Sequence, residues 1–120
     1  MKIQKKHLTP LYLALKETDG VLSLKEARVR DQLLKPLLEV TKTFEEDRTK
    51  IYATYGELKD NQYHFKPEDV ETVNKEVTEL YAEEVELPDV AGIKAIIENT
   101  TYKPKTGEAE LIDEVLTKLT

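Results

Sequence analysis

Polar and apolar residues follow a helical period over the longest continuous stretch of the chain, from Ser23 to Gly56. The stretch opens with Ser23 and Glu26, the spacing of a capping box in which each side chain accepts a hydrogen bond from the other residue's backbone N–H. It closes at Gly56, because glycine readily takes the left-handed conformation that ends helices. The pattern therefore predicts one long amphipathic helix whose apolar stripe packs against another segment, a second copy or a partner.

The apolar stripe of this helix follows a heptad and has a proline in its interior. One core position holds Ala27, Leu34, Thr41, Arg48 and Tyr55, and the other holds Arg30, Leu37, Phe44 and Ile51. Pro36 removes a backbone donor and clashes with the preceding turn, which costs about 3 kcal/mol unless the helix kinks. Either one kinked helix or two helices that separate near Lys35 would satisfy this constraint. The kink is favoured because the apolar phase continues across Pro36.

A second amphipathic pattern begins at Pro67, with acidic residues in its first turn, where the helix dipole favours anions. Its apolar face recurs at helical spacing through Val70, Val73, Val77, Leu80 and Tyr81. This helix is the predicted antiparallel partner of the long one, across a turn at Asp60-Asn61. The two together predict a helical hairpin.

Shorter patterns predict the remaining elements. An edge strand is expected between Lys2 and Leu8, and short strands at Gln62–Phe65 and Val85–Leu87, the three forming one small sheet at one end of the hairpin. Thr9 and Pro10 read as the N-cap and first position of a helix that stops near Asp19-Gly20.

The C-terminal segment predicts a short element around Ile93–Ile97, a turn at residues 103–107, and a final helix from about Glu108. We expect that helix to pack on the hairpin or to swap onto a neighbouring copy. The predicted architecture is therefore mainly α: a long antiparallel helical hairpin with short β-strands at one end (residues 1–88) and a small C-terminal helical extension (residues 89–120).

Composition narrows the function classes. The 120 residues include no cysteine, which excludes disulfides, thiolate nucleophiles and cysteine zinc sites. No apolar run is long enough to cross a bilayer, and the first residues lack the apolar core of a secretory signal. We therefore expect no membrane partner and no cofactor.

Charge is distributed unevenly between the two halves. Residues 1–60 carry twelve Lys and Arg against ten Asp and Glu, whereas residues 61–120 carry six against fourteen. This asymmetry favours docking of the halves on each other, or on the opposite halves of neighbouring copies. The alternative is that solvated helix faces differ in charge without a role. Neither half is basic enough to predict nucleic-acid binding.

Few residues suggest a catalytic, metal-binding or ligand-binding role. His7 and His64 have no metal-ligand spacing, and no catalytic, cofactor or metal residue is predicted. Tyr52 and Tyr55, with two aromatic residues of the following strand, could stack a nucleotide beside Arg48 and Lys50, or simply close the hairpin core. Arg30 and Arg48 occupy heptad core positions, where they either extend to solvent or pair with acids of a facing helix. The candidate interaction residues are Arg30, Leu37, Phe44, Arg48, Ile51, Tyr52 and Tyr55.

Several segments resemble a group of small uncharacterised proteins of tailed bacteriophages. The matching text is Leu22-Ser23-Leu24-Lys25-Glu26-Ala27, Phe44-Glu45-Glu46-Asp47-Arg48-Thr49-Lys50-Ile51, Tyr55-Gly56, Val73-Asn74-Lys75-Glu76 and Glu84-Val85-Glu86-Leu87. The resemblance spans residues 14–87, without Pro36 and without the tail after Pro88. It implies a viral setting and assigns no catalytic residue.

The sequence thus predicts a non-enzymatic bacteriophage protein that acts by protein–protein contact, as a virion structural or assembly component. Its partners would be other phage proteins, further copies of itself in a homo-oligomer, or a host protein, in the host cytoplasm or the virion. The alternative is an early phage factor that sequesters a host protein or a nucleotide signal through Arg48, Lys50, Tyr52 and Tyr55.

Overall fold

The computed structural model describes residues 1–18 and 20–119 and is mainly helical, as predicted. Its helices are α1 (Leu8–Lys16), α2 (Leu24–Tyr55), α3 (Pro67–Ala82), α4 (Ile93–Glu98) and α5 (Glu108–Leu116). Its strands are β1 (Lys2–Gln4), β2 (Gly56–Lys59), β3 (Gln62–Phe65) and β4 (Glu84–Glu86).

Helix α2 is continuous through Pro36, so the single long helix is confirmed and the break near Lys35 does not occur. Its first turn carries the predicted capping box: the Glu26 N–H donates to Ser23 Oγ at 3.1 Å, and the Ser23 N–H donates to Glu26 Oε1 at 3.0 Å. Leu33 and Leu37, one on each side of Pro36, are fully buried. Burial of two leucines contributes about 3–6 kcal/mol, which is enough to offset the cost of the proline.

The end of α2 differs from the prediction. Gly56 has φ −122° and ψ 166°, which is extended rather than left-handed, because it is already the first residue of β2. The left-handed residues are Asp60 and Asn61, with φ of 52° and 63°, and they form the predicted turn. Two successive positive φ angles match the right-handed twist of the strands they join, which is why β2 and β3 form a tight hairpin.

The prediction of one sheet is wrong, because the strands form two separate antiparallel pairs. β1 pairs with β4, and β2 pairs with β3. The sixteen residues of α3 separate β3 from β4 by about 24 Å of helix, so the two pairs lie at different levels along α2. The sequence predicted no particular pairing among the three strands, and it did not predict β2.

The N-terminal helix also begins differently from the prediction. β1 ends at Gln4, a 3-10 turn covers Lys5–His7, and α1 follows at Leu8, so Thr9 is inside the helix rather than its N-cap. The reason is a local box in which the Gln4 N–H donates to His7 Nδ1 at 3.2 Å, which starts the helical path earlier. The helix ends at Lys16; of the predicted stop at Asp19-Gly20, Asp19 lies outside the described residues.

The main core is one cluster to which nearly all elements contribute. Its fully buried members include residues of α1, α2, α4 and α5, among them Leu11, Leu15, Leu33, Leu37, Ile97 and Val115. Helix α3 contributes Leu80 near its C-terminus, and β4 is followed by buried Leu87. Residues from both predicted segments, 1–88 and 89–120, therefore share this cluster.

The C-terminal segment packs on the chain itself. The Thr101 N–H donates to the Glu17 carbonyl at 2.7 Å, at the end of α1. Buried His7 donates its Nε2–H to Glu114 Oε2 of α5 at 2.6 Å, because a carboxylate oxygen can only accept. These contacts hold α5 against α1 and the N-terminal turn.

Acid is expected to weaken the docking of the C-terminal segment. The His7 hydrogen bond lowers the pKa of Glu114, and the Tyr102 hydroxyl and the Lys105 N–H lower the pKa of Glu108. A carboxylate with a lowered pKa in the folded state stabilises the fold above its unfolded pKa, and this contribution is lost as pH falls through the folded pKa. The free energy of unfolding should therefore be steady between about pH 5 and about pH 7 and should fall below about pH 4.5. Urea titrations across this range measure it, and Glu114→Gln should flatten the acid slope. An unchanged slope in that variant would contradict the assignment.

Leu37 and Leu38 are adjacent in sequence but differ in burial: Leu37 is fully buried and Leu38 is 46% exposed. Leu37→Ala should lower the free energy of unfolding by about 2–5 kcal/mol, because it opens a cavity in the main core. Leu38→Ala is the matched control and should change it by about 0.5 kcal/mol or less. Chemical denaturation of both variants checks the pair, and equal losses would place the core on the wrong face of α2.

Candidate functional site

A concave surface lined by aromatic residues lies at the end of the hairpin that carries β2 and β3. We call this end the tip: the last turn of α2, the β2–β3 hairpin and the first two turns of α3. It contains a groove of about 370 Å³. The groove is lined by Tyr52, Gln62, Tyr63, Phe65, Val70, Val73 and Asn74.

Three aromatic rings form one wall of the groove. The ring centroids of Tyr52 and Tyr63 are 5.8 Å apart, and those of Tyr52 and Phe65 are 5.9 Å apart, both pairs tilted. Tyr63 and Phe65 alternate along β3 and therefore point to the same face, where α2 presents Tyr52 one turn before its end. All three remain half-buried, so each ring keeps one part in contact with solvent.

Apolar side chains beside the rings are exposed. Leu58 on β2 is directly opposite Tyr63 and is 59% exposed, and Val70 on α3 is 42% exposed. The valine face of α3 is thus divided: Val73 is buried, whereas Val70 faces solvent. Among the described residues, the groove side chains stand outside the main core cluster, so the tip packs as a small satellite of its own.

Tyr55 lies at the tip and connects α2 to α3 through a hydrogen bond. Its hydroxyl donates to Glu76 Oε1 on α3 at 3.2 Å. The same hydrogen bond raises the pKa of Tyr55, because it favours the protonated phenol. Tyr55 therefore holds α2 and α3 together and does not line the groove.

Arg48 is held between two aromatic residues one turn away from the groove. Its guanidinium lies 5.5 Å from the centroid of the Phe44 ring, and Nη1 donates to the Tyr81 hydroxyl at 3.2 Å. The Phe44 and Tyr81 centroids are themselves 5.5 Å apart. Arg48 thus contacts α3 through the Tyr81 hydroxyl and stacks on the Phe44 ring of its own helix.

Arg30 makes a comparable contact at the opposite end of α2. Its Nη1 donates to Thr18 Oγ1 at 2.8 Å, and Nε donates to Asp31 Oδ1 of its own helix at 3.1 Å. Among residues 1–18 and 20–119, neither arginine at a heptad core position pairs with an acid of a facing helix.

The seven predicted interaction residues do not form one surface. Leu37 and Phe44 are inside the main core, Ile51 is half-buried, and Arg30, Arg48 and Tyr55 make the intramolecular contacts described above. Tyr52 alone of the seven lines the groove. The cations of the nucleotide-stacking interpretation are also placed elsewhere, since Arg48 contacts Tyr81 and Lys50 lies on a surface shared with Glu45 and Glu46.

Sequence reasoning did not assign Gln62, Val70, Val73 and Asn74 to a site. The two valines were placed in the core stripe of α3, and Asn74 falls four residues after Val70 on the same side of that helix. One signal in the sequence could have indicated the groove. The apolar face of α3 begins at Val70, one turn before the first valine that α2 buries.

Two structural features are absent from the described residues. Within residues 1–18 and 20–119, no group of three His, Cys, Asp or Glu side chains is arranged to hold a metal ion. In the same part of the chain, no helix combines the length and the apolar character that crossing a bilayer requires.

Comparison with known proteins gives no family: no family model matches the chain, and no significant match is found among curated proteins or solved structures.

The close approach of Phe65 to Gly56 provides a test of the tip. A Cβ added at Gly56 would lie 2.6 Å from Phe65 Cε1, so Gly56→Ala should displace the ring and lower the free energy of unfolding by about 1–3 kcal/mol. Phe65→Leu in the same chain should recover part of that loss, because the smaller side chain leaves room. A double-mutant cycle by urea denaturation measures the coupling, and strictly additive effects would contradict the packing.

Proposed function

We propose that this chain is a bacteriophage protein that acts by protein–protein contact through the groove at its tip. It would serve as a virion structural or assembly component, in the host cytoplasm or in the particle, and not as an enzyme. The observation that carries the proposal is the exposure of Leu58 and Val70 beside three half-buried aromatic rings.

The chemistry of the groove supports a contact function. Its side chains are aromatic, aliphatic or amide, and the lining includes no Lys, Arg, His, Asp or Glu. Tyrosine and other aromatic residues in a partly desolvated groove are the residue types that dominate binding energy at protein interfaces. Gln62 and Asn74 add hydrogen-bonding groups at the border, which orient a partner without a large desolvation cost.

The contacts between α2 and α3 also support binding. Arg48 and Tyr55 each connect α2 to α3, and the tight β2–β3 turn closes the end of the hairpin. A groove whose walls are already held in place loses less conformational entropy when a partner binds.

The viral setting rests on the resemblance of residues 14–87 to small proteins of tailed bacteriophages. Within that setting, an elongated protein with an apolar groove at one end suits repeated contacts in an assembly. The principal extents of 51 × 28 × 24 Å describe such a shape.

Sequestration of a host protein is the second candidate, and it would use the same groove. The open aromatic wall favours a protein ligand over a nucleotide, because the basic side chains that a phosphate needs are directed elsewhere. The two candidates differ in the identity of the partner, which a crosslinking experiment reports.

A photoreactive amino acid in place of Val70, expressed during phage infection, tests the proposal. We expect crosslinks to phage proteins or to further copies of the chain, which mass spectrometry identifies, and we expect the chain in purified particles. The same substitution at Leu38, which is 46% exposed but far from the groove, is the control and should give few crosslinks. Crosslinks to a host protein alone would favour the second candidate, and equal yields at both positions would contradict the use of the groove.

A further inference from the structure

Exposed large apolar side chains are concentrated at the two ends of α2. Leu58 and Val70 are at the tip, and Val21 and Leu24 are where α2 begins, at 43% and 69% exposure. We call the second patch the base and define it as Val21, Leu24, Lys25 and Arg28.

The two patches lie at opposite ends of the molecule. From Leu24 to Tyr55, α2 rises about 47 Å at 1.5 Å per residue, and the longest extent of the whole chain is 51 Å. The aromatic wall of the groove rests on Tyr52, within the last turn of that helix. One copy therefore cannot bring its own base to its own tip.

The two ends differ in charge. Residues 52–74, which make up the tip, carry five acids against two lysines. Residues 16–35 around the base carry five cations against four acids. At the base, Lys25 and Arg28 are exposed, whereas Glu26 is engaged in the cap of α2 and Asp31 is paired with Arg30.

These charges favour a base-to-tip contact between two copies over a tip-to-tip contact. Two tips placed together would bring two acidic ends into contact, which opposes a symmetric tip-to-tip dimer. A base placed on a tip brings Lys25 and Arg28 towards an end of the molecule in which acids outnumber cations. It also gives Leu24, the most exposed of the five exposed large apolar residues, an apolar surface to cover it.

We propose that copies of this chain associate head to tail, with the base of one copy seated on the tip groove of the next. Leu24 inserts beside Val70 and the rings of Tyr63 and Phe65, and Lys25 and Arg28 face the acidic tip. The inference rests on the proposed contact function and names the partner at that groove as a second copy. Since the two contacting surfaces differ, each added copy leaves one base and one tip free, and the association continues into a filament or closes into a ring.

Two variants, each defective at one end, test the arrangement. Leu24→Asp removes the apolar anchor of the base and adds an acid opposite the acidic tip. Aspartate is well tolerated at the start of a helix, so this substitution should leave α2 folded. Val70→Asp removes the apolar wall of the groove and leaves the base intact. Leu38→Asp, on the exposed middle of α2, is the matched control. Circular dichroism and thermal melts check that all three are folded.

Sedimentation velocity and light scattering measure the association of each chain. The unmodified chain and the Leu38→Asp control should gain mass with concentration beyond a dimer, and each end variant alone should associate at least tenfold more weakly. An equimolar mixture of the two end variants should form one heterodimer and stop, because only one intact base and one intact tip remain. Raising NaCl from 50 to 500 mM should weaken association several-fold.

Three outcomes would overturn the head-to-tail contact. They are a monomeric unmodified chain at 1 mM, a Leu24→Asp variant that still associates like the unmodified chain, or an end-variant mixture that grows beyond a dimer. A monomeric chain that nevertheless crosslinks to another phage protein through position 70 would overturn this inference and leave the proposed contact function standing.

Discussion

Burial along α2 is the interaction on which the rest of the structure depends. Leu33, Leu37 and Phe44 carry the apolar stripe through Pro36 and place α2 in the same buried cluster as α1, α4 and α5. A helix of 32 residues is stabilised chiefly by this tertiary packing rather than by its own propensity. Because the cluster includes the first and last elements of the chain, its loss would release the N-terminal strand and the C-terminal helix together.

The same helix extends beyond that cluster and supports the tip. There the stabilising contacts are fewer and more specific: Tyr55 with Glu76, and Phe65 against Gly56. These contacts fix α3 and the β2–β3 hairpin on α2 while leaving Leu58 and Val70 exposed. Apolar side chains are buried in the core but partly exposed at the tip, and this difference is the physical basis for placing the contact surface at the tip.

Local signals in the sequence predicted much of the fold and little of the site. The capping box at Ser23, the helix start at Pro67 and the turn at Asp60-Asn61 depend on neighbouring residues, and the structure confirms all three. The pairing of strands and the contact of His7 with Glu114, 107 residues away, depend on the packed chain, and the sequence does not reveal them. The groove was missed for the same reason, since the spacing of Val70 resembles that of buried valines until the length of the covering hairpin is known.

Amide hydrogen exchange in dilute protein tests the division between core and tip most directly. The account predicts that amides in residues 33–44, on both sides of Pro36, exchange only through global unfolding, and that amides in residues 56–65 open with a clearly lower free energy. Equal or greater protection in the hairpin, or fast exchange on either side of Pro36, would contradict a core centred on α2 with a separate, weakly packed tip.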